Sequence, residues 1–146
     1  MNPDAVKGIR TRLIKEDKLM AVLPTGHPLC EQEYVTMQDL AKEPFLLLEE
    51  GAFSETLTAF HAEQIEPDIK LRVHDDYSIL SMIEEGLGVS IIPELILCKS
   101  SHQVAVRPIQ PVVKRKIGII TQDKNTIPIA SNVFIKFLLE NVDILP

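Results

Sequence analysis

Cysteine is scarce in this chain. Cys30 and Cys98 stand far apart in 146 residues and form no CxxC pattern. The spacing argues against a thiolate metal knuckle or a dithiol redox motif and is read as two reduced thiols. Long apolar runs are missing too: nothing approaches the roughly 18 to 20 residues a membrane span needs. The start, Met1-Asn2-Pro3-Asp4, has neither the basic n-region nor the apolar h-region of a signal peptide. A cytoplasmic protein with no membrane partner is the expectation. Excess positive charge is absent, since the formal net charge is −6. The window Lys7 to Leu19 holds five Lys and Arg, but Asp4, Glu16 and Asp17 lie in or beside it. It reads as a solvated, mixed-charge segment, and this chain alone is not expected to hold a phosphate backbone.

Catalytic and cofactor patterns are missing as well. The sequence has no nucleophile elbow, no His pair at i, i+4 and no Cys/His arrangement of recognisable spacing. Ser54, Glu55 and His61 are expected on one helix, at a spacing that forms no triad. His74-Asp75-Asp76 are adjacent residues of a strand-to-helix turn, which rarely converge on one ion; a helix cap with an exposed neighbour is expected instead. The chain is read as a non-enzyme with no cofactor and no metal.

What remains is a core-forming chain, with 45% hydrophobic and 25% charged residues and no internal repeat or low-complexity tract. Its length allows one ordinary domain or two small lobes. Leu19 to Leu23 reads as a buried strand stopped by Pro24-Thr25-Gly26-His27-Pro28. Thr36 to Ala41 reads as a short helix with Thr36 as cap and Asp39 at capping-box distance, ended before Pro44. Phe45 to Leu48 is a second buried strand, followed by the loop Glu49-Glu50-Gly51-Ala52-Phe53. Ser54 caps a helix over about 55 to 64, with Leu57, Phe60 and Gln64 along one side. Asp68 to Val73 alternates, placing Ile69, Leu71 and Val73 on one face of a strand.

The segment HDDYSILSMIEEGLGVSIIPE, residues 74 to 94, carries the densest information. Asp75 or Asp76 caps a helix from Tyr77, with Ile79, Met82, Ile83 and Leu87 facing a sheet. Gly86 or Gly88 supplies the left-handed stop, and Gly88 lets helix and strand backbones approach. Val89 to Ile92 is a central strand, apolar apart from Ser90, and Pro93 lies at its end. GLGVS sits between a helix and a strand, so it is not the strand-to-helix turn of a dinucleotide fingerprint. Beyond it, Leu95 to Lys99 allows one or two helical turns. Val104 to Ile109 and Ile117 to Thr121 are strands. Pro128 opens a last helix with the stripe Ile129, Val133, Phe134, Phe137 and Leu138. The alternation from Leu19 to Pro93 predicts an α/β layered sheet.

GHPL, DLAKEPFLLLEEG, DDYSILSMIEEGLGVSIIPEL and the closing FIKFLL occur in this order. Together they resemble the C-terminal half of LysR-type transcriptional regulators, over roughly Ile9 to Leu139. The resemblance implies an effector domain of two α/β lobes like a type 2 periplasmic binding protein. It implies a small metabolite in the cleft, which alters how a tetramer holds DNA. It divides the chain into a first-lobe remnant (1–16), a second lobe of open mixed sheet and flanking helices (17–94), and the returning half of the first lobe (95–146). Asp17 and Lys18 would be one crossing, Pro93 and Glu94 the other. The winged helix-turn-helix and linker helix that contact DNA in this family are not in this chain, nor is most of the first lobe. The first-lobe strands, among them Val104 to Ile109, would expose edges and the last helix part of its stripe. Burying roughly a few hundred square ångströms at about 25 cal/mol/Å2 is worth several kcal/mol, enough to favour a dimer or larger assembly. In the family the helix over about 54 to 64 packs on a partner's first lobe, a contact that an incomplete lobe puts in doubt.

In an open α/β sheet, ligands collect at the C-terminal ends of parallel strands, where helix N-termini offer amides. Two places qualify: the loop Glu49 to Thr56, which contributes ligand contacts in the family, and Asp75 to Ser78. Ser54, Thr56, Tyr77 and Ser78 offer hydroxyls, Asp76 faces the cleft, and Gly51 allows close backbone approach. Ser54 also reads as a plain N-cap. Glu49 and Glu50 are unusual beside a site that often takes carboxylates. Either they point to solvent or the effector is not a simple dianion. The alternative function is a free-standing small-molecule-binding protein of the same fold with no DNA-linked role.

Overall fold

A computed structural model describes residues 9–122 and 127–144. Residues 1–8, 123–126 and 145–146, including the start Met1-Asn2-Pro3-Asp4, lie outside the described residues. The chain divides into two compact units, Lys18–Arg115 and the pair of segments Met1–Asp17 and Lys116–Pro146.

The larger unit is a twisted, mixed sheet with helices on both faces. Its strands are the end of β1 (Ile9–Pro24), then β2 (Phe45–Leu48), β3 (Ile69–Val73), β4 (Ser90–Pro93) and β5 (Val104–Pro108). β2 and β3 run parallel, and β1 lies antiparallel between β4 and β5. A parallel bridge from Phe45 to Val89 joins the two groups, so the strands run in the order β3-β2-β4-β1-β5. The crossovers carry α1 (Met37–Ala41), α2 (Glu55–Ala62) and α3 (Asp76–Glu84).

Alternation along the strands decides which helix each residue meets. Phe45 and Leu47 pack with Met37, Leu40 and Phe60 on one face. Leu46 and Leu48 pack with Ile79, Leu80 and Ile83 on the other. The rings of Phe45 and Phe60 meet edge to face, 5.3 Å apart. Thr36 and Asp39 form a reciprocal capping box on α1. Asp75 caps α3, and Gly86 ends it at φ +80°.

Several elements differ from their sequence patterns. β1 begins at Ile9 and not at Leu19, because the charged window pairs as a strand while its polar side chains stay mostly exposed. Ile69, Leu71 and Val73 do not share one face as their alternation suggests: the β2–β3 register shifts between Phe45 and Leu46, so Ile69 packs on the Phe45 face and Val73 on the Leu46 face, and Leu71 is exposed on the outermost strand. Leu87 is half exposed because it follows the end of α3 and no longer follows the helical stripe.

The largest difference concerns residues 95 to 115, which the resemblance assigns to the returning half of the first lobe. They belong to the larger unit. β5 pairs with β1 from Met20↔Pro108 to Pro24↔Val104, so it keeps its neighbour and is not a stranded first-lobe edge. Arg107 donates from Nη2 to the Cys30 carbonyl at 2.6 Å, and Val35 bridges to Ile109, which is buried. Between Pro93 and β5 lies the single-turn α4 (Glu94–Leu97).

The smaller unit pairs the first half of β1 with β6 (Lys114–Gln122) and carries α5 (Ile129–Glu140). Gly118 is needed there, because a Cβ would stand 2.8 Å from the Arg12 carbonyl oxygen. Asp17 is the one buried residue among those described in this unit, and α5 buries none. Ile129 is 84%, Val133 63%, Phe134 60% and Phe137 62% exposed. The amphipathic stripe has formed a helix, and among the described residues no apolar layer covers it.

Candidate functional site

The four residues of β2 are all buried, and the chain emerges at Glu49. The Glu49 amide donates to the Val73 carbonyl at 2.8 Å, extending the β2–β3 ladder by one bond. Its carboxylate turns toward β3, where Arg72 Nη1 lies 2.6 Å and His74 Nε2 3.6 Å away. The next carboxylate points elsewhere. Glu50 Oε2 accepts from Arg115 Nη1 at 2.9 Å. Gly51 then adopts φ +110°, a conformation that favours glycine and lets the loop turn back toward α2.

Ser54 caps α2: its hydroxyl oxygen accepts from the Leu57 amide at 3.2 Å, and its carbonyl accepts from the Thr58 hydroxyl at 2.9 Å. The cap reading of Ser54 therefore holds. Thr56 is buried in the first turn. Glu50, Phe53, Ser54, Glu55, Thr56 and Arg115 line one pocket floored by Leu19, Leu48, Ile91 and Pro93. All of these belong to the larger unit. The N-terminus of α2 and the Arg115 guanidinium lie on this pocket together with the Glu50 and Glu55 carboxylates. The free volume is about 20 Å3, space for little more than one water.

The second set of sequence-predicted residues stands apart. Asp75 accepts from the Ser78 amide at 2.7 Å, and Asp76 accepts from the Tyr77 amide at 3.0 Å. Hydrogen bonds from Ser78 hold the Asp75 carboxyl below its ordinary value. Tyr77 is exposed and its ring stands edge-on to His102, 4.7 Å away. The Ser81 hydroxyl donates to the Tyr77 carbonyl at 3.0 Å and lies 3.0 Å from His102 Nε2, while the Ser100 hydroxyl lies 3.0 Å from His102 Nδ1. Asp76, Tyr77 and His102 line a surface pocket that shares no residue with the one holding Ser54. The sequence-predicted residues therefore form two groups. Glu50, Ser54 and Thr56 come together, whereas Asp76 and Tyr77 lie in the other pocket and Ser78 serves the α3 cap.

The residues expected at the crossings are equally divided. Asp17 and Lys18 lie within the continuous strand β1, where the division between units falls. Pro93 and Glu94 do not lie at the second division, which follows Arg115. Pro93 pairs with Leu19 at the end of β4 and lines the Ser54 pocket. The reason is again β5: its pairing to β1 carries the chain on through the larger unit before it leaves.

Arg115 lines the candidate site without a signal in the sequence. It sits inside the run Lys114-Arg115-Lys116. No local signal separates it from its neighbours; only the fold sets it against Glu50. Among the described residues, no group of three or more His, Cys, Asp or Glu is placed to hold a metal ion.

Residues 1–143 match the LysR substrate binding domain. The chain belongs to that family. LysR proteins are transcription regulators and not enzymes, and this one carries no helix-turn-helix among its described residues. The transcriptional dual regulator GltC of Bacillus subtilis (strain 168) is 27% identical over 142 residues, 94% of this chain and 47% of GltC. The LysR chain here thus spans about half the length of the curated relatives it matches. The regulatory domain of Synechocystis PCC6803 CcmR, solved in complex with 2-PG, superposes with a TM-score of 0.84 at 16% identity. That match covers 97% of this chain and 70% of the CcmR chain. The effector binding domain of QuiR, solved with shikimate, gives 0.81 at 22% identity, over 96% and 68% of the two chains. At these identities the likeness establishes the fold, the mixed α/β architecture of LysR regulatory domains.

Proposed function

We propose that this chain is the effector-sensing part of a LysR-type regulator. A small metabolite binds against the wall formed by Glu50, Ser54, Thr56 and Arg115 and thereby controls DNA binding by a separate winged helix-turn-helix. One observation carries the reading: the pocket lies past the end of β2, at the N-terminus of α2, with the buried Thr56 and the Arg115 guanidinium on it. That is where an open α/β sheet offers amides and hydroxyls to a ligand. The ligands of the CcmR and QuiR domains are small molecules, which supports the class. Glu49 and Gly51 shape the loop. Asp76, Tyr77 and Ser78 stand outside this wall. A regulator of this kind works beside DNA, in the cytoplasm.

The test is a thermal-shift panel of small carboxylates and phosphate esters. It is run on this chain and on one extended to the full domain length of the solved relatives. Stabilisation is expected in the extended chain, with little in the 146-residue chain, and Thr56→Val should remove it. Hits that keep full affinity in Thr56→Val would sink the assignment of this wall. Turnover of any substrate by the chain would sink the regulator reading.

The uncovered stripe of α5 supports self-association as a second property. Ile129, Val133, Phe134 and Phe137 form a contiguous apolar face on one helix, and such faces mark association surfaces.

A further inference from the structure

We propose that the pocket between the start of α3 and the loop after α4 is a second binding site, for a small zwitterion of amino-acid size. It is independent of the effector wall, because the two pockets share no residue. All of its lining belongs to the larger unit, so the 146-residue chain holds the whole site.

The frame of this pocket is fixed. Leu80 is buried in the core and forms its floor with the half-buried Ile96. The His102 ring is held at both nitrogens, with the Ser81 hydroxyl 3.0 Å from Nε2 and the Ser100 hydroxyl 3.0 Å from Nδ1. The His102 amide also donates to the Ser100 hydroxyl oxygen at 3.2 Å. Tyr77, 68% exposed, rests edge-on against that ring. An aromatic ring and two aliphatic side chains thus offer apolar surface to a ligand's carbon skeleton.

The amides at the N-terminus of α3 do not make the site, because they are already used. The Tyr77 amide donates to Asp76 and the Ser78 amide to Asp75. What remains is a pair of side-chain charges. Asp76 and Lys99 line the same pocket and are exposed, and among the described residues neither is engaged in an ion pair. The pocket therefore carries one negative and one positive group that are not joined to each other.

That arrangement sets the ligand class. A simple anion gains from Lys99 and is repelled by Asp76; a simple cation meets the reverse. A molecule with both an ammonium and a carboxylate makes a charge-assisted contact to each. Size sets the limit. The free volume is about 180 Å3, several times the roughly 30 Å3 that one water takes. It is below the roughly 300 Å3 at which sites for drug-sized ligands begin, which excludes a nucleotide or coenzyme.

The experiment titrates the 146-residue chain with L-alanine and with γ-aminobutyrate, whose charges stand closer together and farther apart. Acetate and ethylammonium serve as single-charge controls. Amide resonances of Tyr77, Ser101 and His102 are followed by NMR, with Thr56 reporting on the effector wall. At least one zwitterion should shift the first three and leave Thr56 in place, binding about tenfold tighter than either control. Asp76→Asn keeps the oxygen that accepts from the Tyr77 amide, and Lys99→Gln alters an exposed side chain. Each should weaken that zwitterion about tenfold, to the level of the controls. Zwitterions that bind no tighter than acetate or ethylammonium, or that keep full affinity in both variants, overturn the site. So does the absence of any shift at tens of millimolar, and so do shifts centred on Thr56 with none at Tyr77.

Discussion

A Cβ placed on Gly88 would sit 2.4 Å from the carbonyl oxygen of Pro44. The Val89 amide donates to that same carbonyl at 2.9 Å, and the Leu46 amide donates back to the Val89 carbonyl at 2.8 Å. Gly88 is therefore the point at which the chain leaving α3 comes close enough to join β4 to β2. Without that approach the sheet would remain two separate pieces. Gly88→Ala is expected to cost about 1 to 3 kcal/mol through overpacking against backbone that cannot yield. Gly86→Ala meets no atom within 4 Å and should cost only the left-handed backbone penalty, about 1 kcal/mol. Urea denaturation of the two variants checks the order; a larger loss from Gly86→Ala would refute it.

Ser90 is the polar residue in an otherwise apolar central strand, and its hydroxyl donates to the Leu46 carbonyl at 2.7 Å inside the core. Ser90→Ala removes a donor from a buried acceptor, and a loss of about 1 to 3 kcal/mol is expected. Equilibrium unfolding measures it. An unchanged midpoint would show that the bond contributes nothing net.

The caps of α1 and α3 make stability fall in acid. The Thr36 hydroxyl, donating to Asp39 at 2.7 Å, is the main cause holding the Asp39 carboxyl below its ordinary value of 3.8. Partial burial opposes the shift; the Thr36 amide and Lys42 assist it. Asp75 is lowered in the same direction by Ser78. A folded-state pKa below the unfolded one gives stabilisation that is complete above the ordinary value and lost as pH falls through the folded one. The melting temperature should thus decline below about pH 3.8, and Asp39→Asn should flatten that decline while lowering stability at pH 7. An identical acid slope in Asp39→Asn would contradict this.

The face of α5 should matter to association and not to folding. Phe134 and Phe137 are mostly exposed, so replacing both with serine should change unfolding stability by no more than about 0.5 kcal/mol each. The same pair should lower the light-scattering mass at micromolar concentration. A wild-type mass equal to one chain would remove self-association altogether.

Much of the fold was legible because its signals are local. The capping box of Thr36 and Asp39, the Ser54 and Asp75 caps, the stop at Gly86 and the apolar runs of β2 and β4 each depend on residues within a few positions. The pattern failed where a residue's environment is set by a distant segment. The charged window reads as solvated, yet Ile9 to Glu16, most of whose polar side chains are exposed, is strand in β1, which pairs with β6. Residues 95 to 115 carry no mark of the unit they join, because β5 depends on its register with β1.

The candidate site divides along the same line. The sequence by itself determined the helix caps, the glycines and the order of strands and helices, and with them the family. Hydrophobic periodicity and capping act over one or two turns of chain, so they are written into neighbouring residues. Only the tertiary structure decided that Glu50 meets Arg115, sixty-five positions away, and that Asp76 and Tyr77 line a separate pocket with His102. Which charges meet depends on strand pairing between remote segments, and the run Lys114-Arg115-Lys116 offers three equivalent cations until β6 selects one.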